Sequence, residues 1–204
     1  MGYSFTFKFI LIAALFVLIG CGSMDDSPSE ICFIGDSITY QWDLEKYFPE
    51  YKINKHAISG SVLEDVTQWD TEDCKGIPTV MLIGTNNLLY GMENDTLTSK
   101  FIQDFSTHYA QIANSFNASK FYAISILPRN KSDNEPLSLN ADIRKLNQQI
   151  DQTLKQTNIH YEFIDVYDYF LDKDGDIHWD YYYDGLHLTQ EGYEILSYHI
   201  KDAL

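Results

Sequence analysis

The chain has 204 residues, 45% of them hydrophobic and 15% aromatic, with three cysteines. That is enough for one domain with a single apolar core. Thirty acidic and 14 basic residues leave a formal charge of −16, which argues against nucleic acid or an anionic membrane surface as the main partner and reads as a solubilising surface.

Residues 1–20 read as a signal peptide that lies outside the fold. Lys8 stands in a short leading region, and the apolar run at 9–19 is too short for a comfortable membrane span. The run ends Leu18-Ile19-Gly20-Cys21, which is similar to a bacterial lipobox, whose cysteine is acylated and becomes the mature N-terminus. Residues 21–29 then read as a polar tether with Asp25, Asp26 and Pro28. Two or three acyl chains on Cys21 would hold the protein stably at a membrane. The expectation is an extracytoplasmic, lipid-anchored protein, on the periplasmic face or the cell surface, whose membrane contact is through that anchor only and whose domain fills residues 30–204.

Within the domain, the apolar run Ile31, Cys32, Phe33, Ile34 ends abruptly at Gly35-Asp36-Ser37, as a buried parallel strand does. Trp42, Leu44, Tyr47 and Phe48 suggest a short helix over 41–49, stopped by Pro49. A second strand is expected at 51–58, ending at Ser59-Gly60-Ser61, then a helix at 62–69 and a third strand at 79–83 that leads into Gly84-Thr85-Asn86-Asn87. Phe101, Ile102, Phe105, Tyr109 and Ile112 place a helix over 98–116, followed by a fourth strand at 121–127 that Pro128 stops. The polar loop 129–136 is a candidate for substrate contacts. Leu139, Ile143, Leu146, Ile150 and Leu154 form one helical stripe, and a fifth strand follows at 161–166. The stretch 168–184 is acidic and aromatic. It reads as an acidic turn, because the spacing and closing glutamate of an EF-hand are absent. Thr189 caps the last helix, which runs through Tyr193, Leu196 and Ile200. Strands alternate with helices throughout, which predicts a parallel sheet covered on both faces.

Ser37 would then stand at the carboxyl edge of the sheet, where open α/β folds place their chemistry. A serine is a weak nucleophile without a histidine base and a group to orient it. Asp184-Gly185-Leu186-His187 offers both, a carboxylate three residues before an imidazole. Taken alone, Ser37 reads as a helix N-cap and not as a nucleophile, and Gly60 and Asn86 are ordinary turn residues; it is the presence of His187 that reverses the reading of Ser37. The other five histidines lack a carboxylate at that spacing and default to structural or surface roles, His178 being the nearest to this edge.

The ordered set G-D-S-I, S-G, G-T-N-N and D-G-L-H-L resembles the SGNH or GDSL hydrolase family, over nearly the whole chain from about residue 30. It looks most like the small acetylhydrolase and carbohydrate-esterase branch. The resemblance implies an α/β fold, a three-layer α/β/α sandwich around a five-stranded parallel sheet of flavodoxin-like order. It implies a catalytic triad of Ser37, His187 and Asp184, and an oxyanion hole from the backbone N–H groups of Ser37 and Gly60 and the side-chain amide of Asn86. Asn87 stands where the family more often has aspartate and receives no catalytic role. No cofactor, metal or nucleotide loop is expected. The implied substrate is a small acyl ester, acetyl above all, of a carbohydrate or similar polar alcohol. The alternatives are a lysophospholipase or thioesterase, and a catalytically silent surface lipoprotein that binds glycans through its 15 tyrosines and three tryptophans. In a flavodoxin-like order the first and third strands are neighbours. A Cys32–Cys74 bridge is then conceivable, beside the alternative of buried free thiols.

Overall fold

The computed structural model describes residues 29–94, 96–130 and 139–204; residues 1–20, expected to be a signal peptide, Cys21, residues 22–28 and most of the loop 129–136 lie outside them. Five strands, β1 (Ser29–Gly35), β2 (Tyr51–Ala57), β3 (Thr79–Leu82), β4 (Phe121–Ile124) and β5 (Tyr161–Ile164), form one parallel sheet in the order β2-β1-β3-β4-β5. This is the expected α/β architecture, and it explains the unbroken apolar runs. On β1, Cys32 and Ile34 join the core on one face while Ile31 and Phe33 join the core on the other.

Two long helices, α3 (Ser99–Ser115) and α4 (Leu139–Leu154), cover the first face. The second is covered by two short helices, α1 (Ser37–Gln41) and α2 (Leu44–Tyr47), and by α5 (Gln190–Lys201). The α3 stripe predicted from periodicity is buried through Phe105, Tyr109 and Ile112, and Thr98 caps the helix by accepting from the Phe101 N–H at 3.1 Å. Thr189 caps α5 in the same way, accepting from the Gly192 N–H at 3.2 Å. On the second face Phe33 and Phe48 pack with ring centroids 5.2 Å apart, and each contributes about 1.5–3 kcal/mol through burial.

The structure departs from the sequence reading chiefly at four places. The helix expected over 41–49 is split, because Trp42 is extended and its indole N–H donates to Ser197 Oγ on α5 at 2.9 Å. Burying that indole outweighs local helical preference. The segment 62–69 is a 3₁₀ turn, Leu63–Gln68, and not an α-helix. Its first N–H groups are taken by side chains, Val62 by Asp65 at 2.9 Å and Leu63 by Asn87 at 2.9 Å. β4 ends at Ile124 and not at residue 127, since the Asn147 side chain replaces the ladder by bonding both Ile126 N–H and Ile126 C=O at 2.8 Å. A two-residue hairpin, Met92–Glu93 with Thr96–Leu97, has no periodicity to betray it.

Cys32 and Cys74 are joined in a disulfide across a sequence separation of 42. Closing a loop of that length stabilises the fold by about 4 kcal/mol in the chain-entropy picture. The bridge ties β1 to the segment that enters β3, and with it the base of the 3₁₀ turn that precedes Cys74.

Candidate active site

β1 stops at Gly35 because the chain must turn there in very little space. A Cβ on Gly35 would meet Thr39 Oγ1 at 2.1 Å and the Leu82 carbonyl at 2.5 Å, so only glycine lets α1 begin against the end of β3. Asp36 caps α1, accepting from the Ile38 N–H at 3.0 Å, and Ser37 is the first helical residue, 5% exposed. The Asp36 carboxyl is buried, which pushes its pKa up to about 7 against the pull of the Ile38 N–H and the Arg129 guanidinium.

At the far end of the chain, Asp184 Oδ1 accepts from the N–H groups of Leu186 at 3.0 Å and His187 at 2.7 Å. Gly185 adopts φ +76° between them, which explains the D-G-L-H spacing: the turn folds the carboxylate back onto the imidazole three residues later. Asp184 Oδ2 lies 2.7 Å from His187 Nδ1, and His187 Nε2 lies 3.0 Å from Ser37 Oγ. Burial works to raise the Asp184 carboxyl, but the N–H and ring of His187 and the N–H of Leu186 outweigh it and hold the pKa below its ordinary value. An ionised carboxylate only accepts, so Nδ1 carries the imidazole proton and Nε2 presents its lone pair to the serine hydroxyl. The ring of Tyr183 stacks on His187 with centroids 5.6 Å apart, and its hydroxyl reaches Gln41 on α1 at 3.2 Å.

Gly60 lies in the turn after β2 at φ +83° and is exposed. Asn86 donates through Nδ2 to the carbonyl of Ser61 at 2.8 Å, which fixes one amide proton beside Gly60 and leaves a second. Asn87 is placed differently. It is 4% exposed, accepts from the Leu63 N–H and donates to Glu64 Oε2 at 2.7 Å, so its amide is committed to the 3₁₀ turn on both sides. The structure thus joins Ser37, His187 and Asp184 in one hydrogen-bonded chain and sets Asn86 against the turn of Gly60.

Sequence reasoning missed the supports. Arg129, grouped with the polar substrate loop, is 5% exposed and donates through Nη1 to the carbonyl and hydroxyl of Thr85 at 3.0 and 3.1 Å. Asn140 grips the Arg129 backbone N–H and C=O, both at 2.9 Å. The next residue, Asn130, donates its N–H to the Gly185 carbonyl at 2.8 Å. One short segment therefore braces the loop of Asn86 and the loop of His187. The only sequence signal was an arginine directly after a strand-ending proline.

The remaining histidines stand apart from this chain: His56 bonds Asp73, His108 faces Glu64, His160 bonds the Ser119 carbonyl, and His178 and His199 stack on Tyr181 and Tyr169. In the acidic stretch, Asp172 accepts from the N–H groups of Asp174 and Asp176, which closes the turn by local hydrogen bonds. Cys32, Cys74 and His56 bring potential ligand atoms within 4.8 Å of one another. The two sulfurs are bonded to each other, which leaves no thiolate for a metal.

Residues 33–195 match the GDSL-like Lipase/Acylhydrolase family. The chain belongs to that family. In fold it is similar to a GDSL-like lipase from Bacteroides thetaiotaomicron, at 24% identity and TM-score 0.64 over 86% of this chain and 87% of that one. It is also similar to an acetylxylan esterase from Geobacillus stearothermophilus, solved as a catalytic mutant, at 15% identity and TM-score 0.66 over 86% and 94%. At those identities the likeness carries the fold. A curated relative, the N-acylneuraminate cytidylyltransferase of Streptococcus agalactiae, is 27% identical over 165 residues. The match covers 80% of this chain and spans 36% of that protein's length.

Proposed function

We propose that this acylhydrolase is a serine esterase that removes a small acyl group, acetyl above all, from a carbohydrate or similar polar alcohol. The observation that carries the reading is the chain from Asp184 through His187 to Ser37, with contacts of 2.7 and 3.0 Å. Ser37 Oγ attacks the acyl carbon while its proton passes to His187 Nε2. Asp184 holds the tautomer and steadies the imidazolium. The N–H groups of Ser37 and Gly60 and the second amide proton of Asn86 receive the oxyanion. The sugar alkoxide leaves with the proton from His187, and a water activated by the same imidazole frees the acid from Ser37.

A sugar alcohol is favoured by the company the fold keeps. One structural neighbour is an acetylxylan esterase by name. Anchoring through Cys21 completes the proposal and rests on Leu18-Ile19-Gly20-Cys21; a Cys21→Ala variant that still takes up labelled palmitate would remove it. The test of the function is chain length. Initial rates on p-nitrophenyl acetate, octanoate and palmitate should fall steeply with length, whereas a preference for palmitate would favour the lipid acylhydrolase reading.

A further inference from the structure

We infer that the cleft on the outer side of β2 is a carbohydrate subsite, which holds the neutral sugar next to the one whose ester is cleaved. This deepens the esterase reading and rests on it. The cleft has a volume of about 340 Å³ and is lined by Lys55, His56, Ala57, Ile58, Trp69 and Asp70. That is at the small end of ligand pockets, room for a ring or two and not for a packed polymer.

Its position ties it to the reaction centre. β2 is an edge strand, so its outer side has no neighbouring strand. Ala57 pairs with Gly35, and the Ile58 N–H donates to the Gly35 carbonyl at 3.2 Å, two residues before Ser37. The far side of β2 is then on the order of 10 Å from the nucleophile, two strand spacings and the length of a disaccharide. The turn that forms one wall through Ile58 also carries Gly60, so a sugar in the cleft and an ester at Ser37 would share one support.

The lining has the chemistry of a sugar site. Trp69 offers a half-buried indole and Ile58 is 53% exposed, which makes an apolar wall for the C–H face of a ring. Asp70 is exposed beside Trp69, and His56, held through Nε2 by Asp73 at 2.8 Å, keeps its other nitrogen; both can bond hydroxyls. Trp69 is not on a loose loop. It ends the 3₁₀ turn whose start is fixed by Asn87 and which the Cys32–Cys74 bridge follows. Charge selects the class of sugar. The Lys55 ammonium is turned to the carbonyls of Tyr40 at 2.7 Å and Trp42 at 2.9 Å, while Asp70 puts an exposed carboxylate on the cleft lining. An acidic sugar stacked on Trp69 would face the neighbouring Asp70 carboxylate, whereas the hydroxyls of a neutral one can donate to it.

The test compares acetylated xylo-oligosaccharides with p-nitrophenyl acetate, which is too small to reach the cleft, and with acetylated oligogalacturonides, which are acidic. Trp69→Ala should raise KM for the neutral oligosaccharide about tenfold, as the loss of one aromatic contact would, with kcat kept. Selectivity for it over p-nitrophenyl acetate should fall by the same factor. Asp70→Asn, an exposed and conservative change, should raise KM for the neutral sugar and narrow its advantage over the acidic one. Equal losses on both substrates, or an unmoved KM in both variants, would overturn the subsite. If the wild-type protein fails to cleave p-nitrophenyl acetate, the esterase reading fails by itself. Calorimetric titration of unacetylated xylotriose into wild-type and Trp69→Ala protein then decides the cleft, since binding that is absent or equal in both overturns it.

Discussion

The segment that carries Ser37 and the segment that carries His187 meet at 3.0 Å but are held by different means. Ser37 follows a fully buried strand and stands on a helix cap, with Asp36, Ser37 and Ile38 all at most 5% exposed. His187 ends a stretch of short turns with two isolated bridges, Leu171 to Ile177 and Tyr182 to Leu188, and with Trp179 and Tyr183 more than half exposed. That stretch is pinned by a few bonds, among them Tyr182 Oη to the Pro128 carbonyl at 2.8 Å and Asn130 N–H to the Gly185 carbonyl. The proposed nucleophile is thus placed by a core strand and its helix cap, and the proposed base by turns that rest on the buried Ile177, Tyr182 and Leu188 and on loop contacts. Changes near Ser37 should act on stability and activity together, while changes in the histidine loop can cost activity with little loss of fold.

The largest effect should come from breaking the contact itself. Ser37→Ala and His187→Ala are each expected to lower kcat on p-nitrophenyl acetate by on the order of 10⁴–10⁶, and the double variant should be little worse, because the pair acts as a unit. Multiplicative losses would mean the two residues act separately.

Next come the two asparagines, which sharpen the contrast between placing a group and supporting it. Asn86→Ala should lower kcat about a hundred- to thousandfold with KM nearly constant. Asn87→Ala should chiefly cost stability, about 1–3 kcal/mol, since the Leu63 N–H loses its partner. Thermal melts with kinetics on both variants check this, and the reverse pattern would put the oxyanion donor on Asn87.

A smaller effect is set by pH. The Asp36 carboxyl is raised from 3.8 to about 7 in the folded state, chiefly by burial. The sign follows from proton linkage: the folded protein binds this proton more tightly than the unfolded chain, so the contribution to stability is complete below about pH 4 and is lost as pH rises toward 7. Denaturation of wild-type protein and Asp36→Asn across that range should show the wild type losing a few kcal/mol relative to the variant. A constant difference would contradict it.

The smallest tests the loop. Tyr182→Phe removes the bond to the Pro128 carbonyl and should cost about 1 kcal/mol of stability, with a fall in kcat that exceeds any change in KM. A stability loss with unchanged kcat would show that the histidine loop is held well enough without it.

The same contrast governs what could be read in the sequence. The strand before Ser37 was legible because a parallel strand buried on both faces needs an unbroken apolar run, and Ile31 to Ile34 provide one. The α3 and α4 stripes were legible by period. The loop of His187 has no period at all. Only the spacing of Asp184 and His187 marked it, and that spacing has a local cause in the turn at Gly185. The supports were hidden because each is a contact between distant parts of the chain. Nothing near Asn87 in sequence tells that it caps the turn at Leu63, and Arg129 looks like any loop arginine until Thr85 is folded against it. Trp42 misled the helix assignment for the same reason, its partner Ser197 being 155 residues away.

The central claim is that Ser37 is the nucleophile and that His187 makes it one. Treatment with a fluorophosphonate, followed by intact mass and peptide mapping, tests this without any assumption about the substrate. The account predicts a single adduct on the peptide that holds Ser37, none in Ser37→Ala, and labelling slowed by orders of magnitude in His187→Ala. An adduct on another serine, or equal labelling of wild-type and His187→Ala protein, would contradict it.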